Sequence, residues 1–252
     1  NEGECTFSNR MIVSTTDRWS SEAEKALENQ QIPVERLRVQ DLDESPIDWS
    51  QISLKNPADI KLKAKKTLRD HQQEAMDATR LGFKEQDRGK LVMACGTGKT
   101  FTSLRIAEAM VPKGGRILFL APSISLVAQT LREWTAEATT PFHAFAICSD
   151  SKVGREQEDL KTHDLAYPAT TNATKLAQYA DTFAASDPDR RTVVFSTYQS
   201  IQVVSDAQAQ GLGEFDLIVC DEAHRTTGIT RDGEAASDFV KVHDNAVVAG
   251  QK

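Results

Sequence analysis

From residue 68 onward, short runs that are apolar at nearly every position alternate with longer segments of helical spacing. Ile117-Leu118-Phe119-Leu120-Ala121, Val193-Val194-Phe195 and Leu217-Ile218-Val219-Cys220 are the clearest of these runs. Successive side chains of a strand point to opposite faces, so a strand apolar throughout must be covered on both sides. Such strands separated by helices form a parallel sheet with helices above and below, which sets the class as α/β. The pattern predicts strands over 90–94, 116–121, 142–148, 192–196 and 217–220, and helices over 101–111, 125–138, 173–184 and 201–208. Leu126, Leu131 and Trp134 face inward on the second of these helices. A further helix opens at Asp70-x-x-Gln73, read as a capping box, with Ala75, Met76, Thr79 and Phe83 on its inner side.

The first fifty residues have a different character. Residues 11–15 read as a buried strand, Ser21-x-x-Glu24 as a capping box opening a helix to about residue 30, and 34–39 as a second strand. A β-α-β piece of this size is too small to fold alone. Charge changes at the same place: residues 1–50 carry five Lys/Arg against eleven Asp/Glu, and residues 51–100 eleven against six. We therefore place a boundary near residue 50 and a linker over 50–67. Lys61, Lys63, Lys65 and Lys66 lie in that linker, read either as a solvated stretch or as a contact to a nucleic-acid backbone.

With 39% hydrophobic and 27% charged residues, bulk disorder is excluded. A net charge of −7 argues against a surface that wraps nucleic acid through broad basicity. Apolar runs are too short to span a membrane. Cys5, Cys95, Cys148 and Cys220 are widely separated, which fits a reduced, cytoplasmic chain without a zinc site or disulfide framework. The start at Asn1 and the end at Lys252, just past Ala246-Val247-Val248-Ala249, read as a piece of a longer polypeptide.

Two motifs carry chemistry. Gly96-Thr97-Gly98-Lys99-Thr100 falls between a predicted strand and a predicted helix. Small residues there let backbone amides curl around a phosphate at a helix N-terminus, where the dipole also favours negative charge. Lys99 then reaches the β- and γ-phosphates of a nucleotide such as ATP, and the Thr100 hydroxyl ligates Mg²⁺. The strict pattern G-x-x-x-x-G-K-[ST] fails at its first position, which is Met93. The second motif, Asp221-Glu222-Ala223-His224, follows the apolar run that ends at Cys220. A carboxylate at the C-terminal end of a parallel strand projects into the crevice where ligands bind. Asp221 would hold Mg²⁺, and Glu222 would orient and deprotonate an attacking water.

Together these motifs resemble the first RecA-like domain of a superfamily 2 DEAH-box helicase or translocase. Leu68-Arg69-Asp70-His71-Gln72-Gln73 is similar to that family's adenine-recognising element, with Asp70-His71 where Pro-Tyr is usual; the resemblance gives Gln72 the adenine edge. Leu118 to Ser123, with Gln129, resembles motif Ia, and Phe195-Ser196-Thr197-Tyr198-Gln199-Ser200 the Ib/Ic region. In this family such loops hold a nucleic-acid backbone through hydroxyls and amides, which assigns that role to Ser123, Gln129, Thr197 and Gln199. Such contacts position a strand without reading its sequence, and so reconcile DNA binding with a negative net charge. Ser123 and Thr197 are equally plain helix N-caps. His224 would couple the nucleotide site to the next motif across the cleft.

The wording around these motifs, with Asp221-Glu222-Ala223-His224-Arg225-Thr226-Thr227-Gly228 and Val242-His243-Asp244-Asn245, is similar to the motor of type ISP restriction–modification enzymes and their type I and III relatives. That resemblance spans 68–252. Residues 1–49 more loosely resemble the closing strand–helix–strand of an Mrr-like nuclease domain, although no D…E-x-K arrangement is found there. The family implies an ATP- and Mg²⁺-dependent DNA translocase, a second RecA-like domain in the same polypeptide, and a chain that stops before the S/T-A-T motif. An arginine finger from that second domain is worth about 10³–10⁵ in rate, so residues 1–252 alone are expected to bind ATP–Mg²⁺ weakly and hydrolyse it poorly. The alternatives are a superfamily 2 helicase of repair or RNA metabolism, a P-loop ATPase of another class, and a scaffold domain that binds nucleotide without hydrolysis.

Overall fold

The computed structural model describes residues 10–16, 19–27, 34–43, 45–53, 55–148, 170–223 and 247–251. Its main feature is a five-stranded, wholly parallel sheet. The strands are β3 (Arg116–Ala121), β4 (His143–Ile147), β5 (Thr192–Thr197), β6 (Phe215–Cys220) and β7 (Ala249–Gln251), in the order β4-β5-β3-β6-β7. Register runs Leu118 against Val194 on one side and against Ile218 on the other.

Alternate residues of these strands enter two separate cores, as strands apolar on both faces require. Ile117, Phe119, Ala121, Val193, Phe195 and Leu217 pack with α4 (Lys99–Met110) and α5 (Ile124–Glu137). Leu118, Leu120, Val194 and Ile218 pack with α6 (Ala173–Ser186) and α7 (Ile201–Ala207). Trp134 is the hub of the first core: its ring meets Phe119 and Phe195 edge-on at centroid distances of 5.4 and 5.6 Å. Leu131 and Trp134 are fully buried and Leu126 packs against the same core, as the spacing predicts.

One predicted strand is not in the sheet. Residues 90–94 form no strand and have no ladder partner among the described residues, and Val92 is 81% and Leu91 44% exposed. The side of β6 away from β3 is taken by β7, with Phe215 opposite Ala249 and Leu217 opposite Gln251. A short apolar run such as Leu91-Val92-Met93-Ala94 carries no period of its own, so pattern alone does not separate a strand from a connector.

The helix before the glycine loop, α3 (Asp70–Gly82), also starts differently. Its reciprocal contact is made by Gln72, whose Oε1 accepts the Arg69 N–H at 3.0 Å, not by Asp70 and Gln73. Gln73 donates along the helix to Asp77 instead. Ala75, Met76, Thr79 and Phe83 form the half-buried side, as expected.

Toward the N-terminus, β1 (Arg10–Ser14) pairs in parallel with β2 (Val34–Arg38), and α1 (Ser21–Leu27) lies between them in sequence. The α1 cap is Ser20, whose hydroxyl accepts the Ala23 N–H at 3.2 Å, one residue ahead of the predicted Ser21. β2 stops at Arg38 because Asp41, in the short helix α2 (Val39–Asp43), reaches back and accepts the Arg38 N–H at 2.9 Å. Asp41 also accepts from the Arg38 guanidinium at 3.1 and 3.2 Å and lies 3.5 Å from Arg132 on α5.

The lysine stretch is a strap rather than a free linker. Its backbone bonds segment 46–48: the Asp48 N–H donates to Lys61 O and the Lys63 N–H to Pro46 O, both at 2.8 Å. Its side chains remain exposed, yet Lys63 donates to Asp43 O, Lys65 to Ala138 O, and Lys66 pairs with Glu133 at 3.1 Å and Glu137 at 3.7 Å. The strap thus ties the N-terminal unit to the C-terminal half of α5.

Candidate functional site

Gly96 and Gly98 adopt φ of 75° and 82°, a left-handed backbone open to glycine at little steric cost. Those two turns let residues 95–98 double back onto the start of α4, where Gly98 is the N-cap. The Thr97 hydroxyl donates to Ala94 O at 2.7 Å, and the Thr102 N–H and hydroxyl both donate to Gly98 O. Two neighbours hold the loop from outside it. Gln72, 5% exposed, donates through Nε2 to Thr97 O at 2.9 Å. The Trp134 indole donates to Thr100 O at 3.1 Å.

Gln72 sits so close that a Cβ on Gly98 would stand 2.5 Å from its Nε2. Its two polar ends are engaged by Arg69 N–H and Thr97 O. The His71 ring nitrogen Nε2 lies 3.2 Å from the same Thr97 carbonyl and donates to it in the matching tautomer. The element predicted to read a base is therefore the one that braces the glycine loop.

β6 delivers the acidic pair. The Asp221 N–H donates to Leu120 O at 2.8 Å, carrying the β3–β6 ladder one residue past Cys220. The next residue leaves the sheet sharply, with Glu222 at φ 52°, the sole non-glycine among the described residues with positive φ. Its N–H donates back to Asp221 Oδ1 at 3.0 Å. Burial pushes the Asp221 carboxyl above the usual carboxylate range; the Glu222 amide and the Lys99 ammonium pull the other way without overcoming it.

The two motifs meet. Lys99 Nζ is 3.7 Å from Glu222 Oε1, and both side chains stay open to solvent at 39% and 34% exposure. An ammonium, two carboxylates and the half-buried Thr100 thus share the rim formed by the α4 N-terminus and the C-terminal end of β6. No cluster of three or more metal-ligating side chains exists among the described residues. The hydroxyl of Thr100 and the carboxylate of Asp221 are hard oxygen donors. A site with one or two such protein oxygens suits Mg²⁺, which keeps waters and phosphate oxygens for the rest of its shell.

The second group of predicted residues lies at the C-terminal ends of β3 and β5. Ser123 caps α5, its hydroxyl accepting the Leu126 N–H at 3.3 Å. Thr197 is 5% exposed and its hydroxyl donates to Ser200 Oγ at 3.1 Å, an engagement within the loop rather than an outward-facing one. Gln199 is exposed, with Nε2 3.5 Å from Pro122 O, which brings the two loops together. Gln129 is exposed on α5. His224 lies outside the described residues, as do 225–228 and 242–245. Tyr198 is a side chain the motifs did not single out: it is fully buried, and its hydroxyl donates to Asp221 O at 2.8 Å.

The chain resembles known proteins over nearly its whole length. Residues 65–244 match the family model of the type III restriction enzyme res subunit, and residues 1–59 match a restriction endonuclease family. Among solved structures, the chain is 42% identical, with a TM-score of 0.86 over 99% of its length, to the ATP-dependent type ISP restriction–modification enzyme LlaBIII bound to DNA. A nuclease-deletion mutant of the type ISP enzyme LlaGI, in complex with a DNA substrate mimic, is 43% identical over 74% of the chain with a TM-score of 0.59. The "Probable helicase A859L" of African swine fever virus (isolate Tick/Malawi/Lil 20-1/1983) is 28% identical over 60% of the chain. The chain spans only 16% of the length of LlaBIII and of the viral protein, and 17% of LlaGI. On its family match, its parallel sheet and its loop–carboxylate pair, the chain belongs to the type III restriction enzyme res-subunit family.

Proposed function

We propose that this chain carries the ATP-binding half of a DNA-translocating motor within a restriction–modification enzyme. The observation that carries the reading is the 3.7 Å approach of Lys99 to Glu222 across one open rim. In this reading the amides of Gly96, Thr97 and Gly98 hold the phosphates at the α4 N-terminus. Lys99 neutralises the β- and γ-phosphoryl oxygens. Thr100 and Asp221 hold Mg²⁺, which when bound would polarise the phosphoryl group and offset its developing charge. Glu222 orients the attacking water and accepts its proton, and its exposure keeps it reachable by solvent. Gln72 holds the loop by Thr97 O, leaving one amide hydrogen for the adenine edge. His224 couples this site to the opposing domain.

In this reading Ser123, Gln129 and Gln199 face the nucleic acid, while Thr197, buried and bonded to Ser200, shapes the loop behind them. Two solved relatives, one bound to DNA and one in complex with a DNA mimic, support DNA as the polymer. We divide the chain into an Mrr-like nuclease remnant at 1–49, a connecting strap at 50–67 and the first RecA-like domain at 68–252. A second RecA-like domain of the same polypeptide supplies the arginine that completes hydrolysis. No helix among the described residues is long and apolar enough to cross a membrane, and we assign the enzyme to the cytoplasm.

The test is a titration of this chain with a fluorescent ATP analogue and Mg²⁺, comparing the parent with Lys99→Ala. Loss of a charge-assisted phosphate contact weakens binding by about 10–100-fold. Equal affinity in parent and variant would remove the nucleotide site from position 99 and with it the motor reading.

A further inference from the structure

Between the nucleotide rim and the nucleic-acid loops stands one side chain that the proposed reading leaves without a task. Tyr198 is fully buried, and its ring belongs to the same core cluster as Leu120 and Ile218. Its hydroxyl donates to the main-chain carbonyl of Asp221 at 2.8 Å. Of its two sequence neighbours, Thr197 ends β5 and Gln199 lies in the loop that follows. Gln199 is exposed and approaches Pro122 O, and the Thr197 hydroxyl bonds Ser200. Three consecutive residues therefore join that loop to the acidic pair.

The identity of the acceptor matters. Asp221 is the first residue beyond β6 and is still held to the sheet, through its N–H on Leu120 O. Its carbonyl opens the peptide that leads into Glu222, the residue at φ 52°. A bond on that carbonyl restricts rotation of the Asp221–Glu222 peptide and thereby aims the Glu222 carboxylate at the Lys99 ammonium. An O–H···O bond weakens steeply with distance and angle, so a small shift of the ring changes that restraint.

We propose that Tyr198 is a positioning residue that reports nucleic-acid occupancy of the β3 and β5 loops to Glu222, so that bound DNA sets the aim of the water-activating carboxylate. This rests on the reading of Glu222 given above. The two-state element that such coupling requires is the Asp221–Glu222 peptide, held in its left-handed turn or released from it. Because the phenol acts on the acidic pair, its removal changes turnover rather than nucleotide affinity.

The experiment uses the full-length polypeptide, with ATP turnover measured with and without duplex DNA for the parent and Tyr198→Phe. The expected result is DNA affinity and KM for ATP unchanged, with kcat at saturating DNA lowered about tenfold or more and the ratio of DNA-stimulated to DNA-free kcat reduced. Stimulation equal to the parent's would overturn the relay while leaving the motor reading intact. A parent that neither binds ATP nor responds to DNA would sink the motor reading, and the relay with it. Should Tyr198→Phe fail to fold, hydrogen exchange on the parent decides: DNA without nucleotide must alter protection at residues 220–223, and unaltered protection there refutes the relay.

Discussion

Glu222 is the residue at which structure and chemistry pull apart. A non-glycine side chain held at left-handed φ costs of order 1–3 kcal/mol and persists only where its surroundings impose it. Its ion pair with Lys99 is too exposed to repay that cost. Replacing Glu222 by glycine should therefore raise stability by about 1 kcal/mol in denaturant titration, while ATP hydrolysis by the full-length enzyme is lost. A variant that is both less stable and still active would contradict both halves of this account. Lys99, Thr100, Asp221 and Glu222 were legible as a candidate site because binding a phosphate would dictate residue type and spacing within each motif. The backbone turn at Glu222 and the phenol of Tyr198 were not. One depends on a single dihedral, and the other on a contact between residues 23 positions apart that no local pattern encodes. Gln72 was singled out by its motif, but its engagement of Thr97 O depends on how α3 packs on the loop.

Helix α5 bears more than its share of connections. Its N-terminus is capped by Ser123 beside the proposed DNA path, and its C-terminal half both donates from Trp134 to Thr100 O and receives Lys65 and Lys66. The two readings of Ser123, cap and DNA contact, separate at this scale. Ser123→Ala should lower stability by about 1 kcal/mol, a fall in thermal midpoint of roughly 2–4 °C. Ser123→Asp keeps a capping oxygen and places a negative charge on the DNA side. It should melt like the parent yet bind DNA more weakly in a fluorescence-anisotropy titration. Equal DNA affinity would leave Ser123 as a cap alone. Most elements were readable from the sequence because an apolar strand or an amphipathic helix announces its own period, and β3 falls at its predicted ends. The stretch 90–94 was misread because Leu91 and Val92 are apolar without being buried, and which strand takes the side of β6 is decided by β7, far along the chain.

At the scale of the whole molecule, the N-terminal unit is a two-stranded parallel sheet, which does not stand alone in water. It is moored by the strap and by Asp41, whose side chain is 6% exposed between Arg38 and Arg132. Burial pushes the Asp41 carboxyl up, but the Arg38 guanidinium and amide, with Arg132, outweigh it and hold it below the usual carboxylate range. A depressed carboxylate contributes stability that is present above its unfolded value, near pH 4, and is lost as pH falls through the folded one. Asp41→Asn should therefore cost about 1–3 kcal/mol at neutral pH and remove the part of the acid sensitivity that appears below about pH 4. A variant whose acid-unfolding curve superimposes on the parent's would show that the junction carries no load. The charge break near residue 50 is the basis of the proposed boundary between two units. It could not reveal that lysines read as solvent-facing bond back to Asp43, Glu133 and Ala138, because those partners are remote in sequence.

This double mooring has a consequence for how the molecule comes apart. The surface stretch 55–60 is exposed throughout and Lys55 offers trypsin a cleavage point, yet every tether described lies to either side of it. A nick there would leave two fragments visible on a denaturing gel but a single species on gel filtration, because the scission cuts the thread and not the knot.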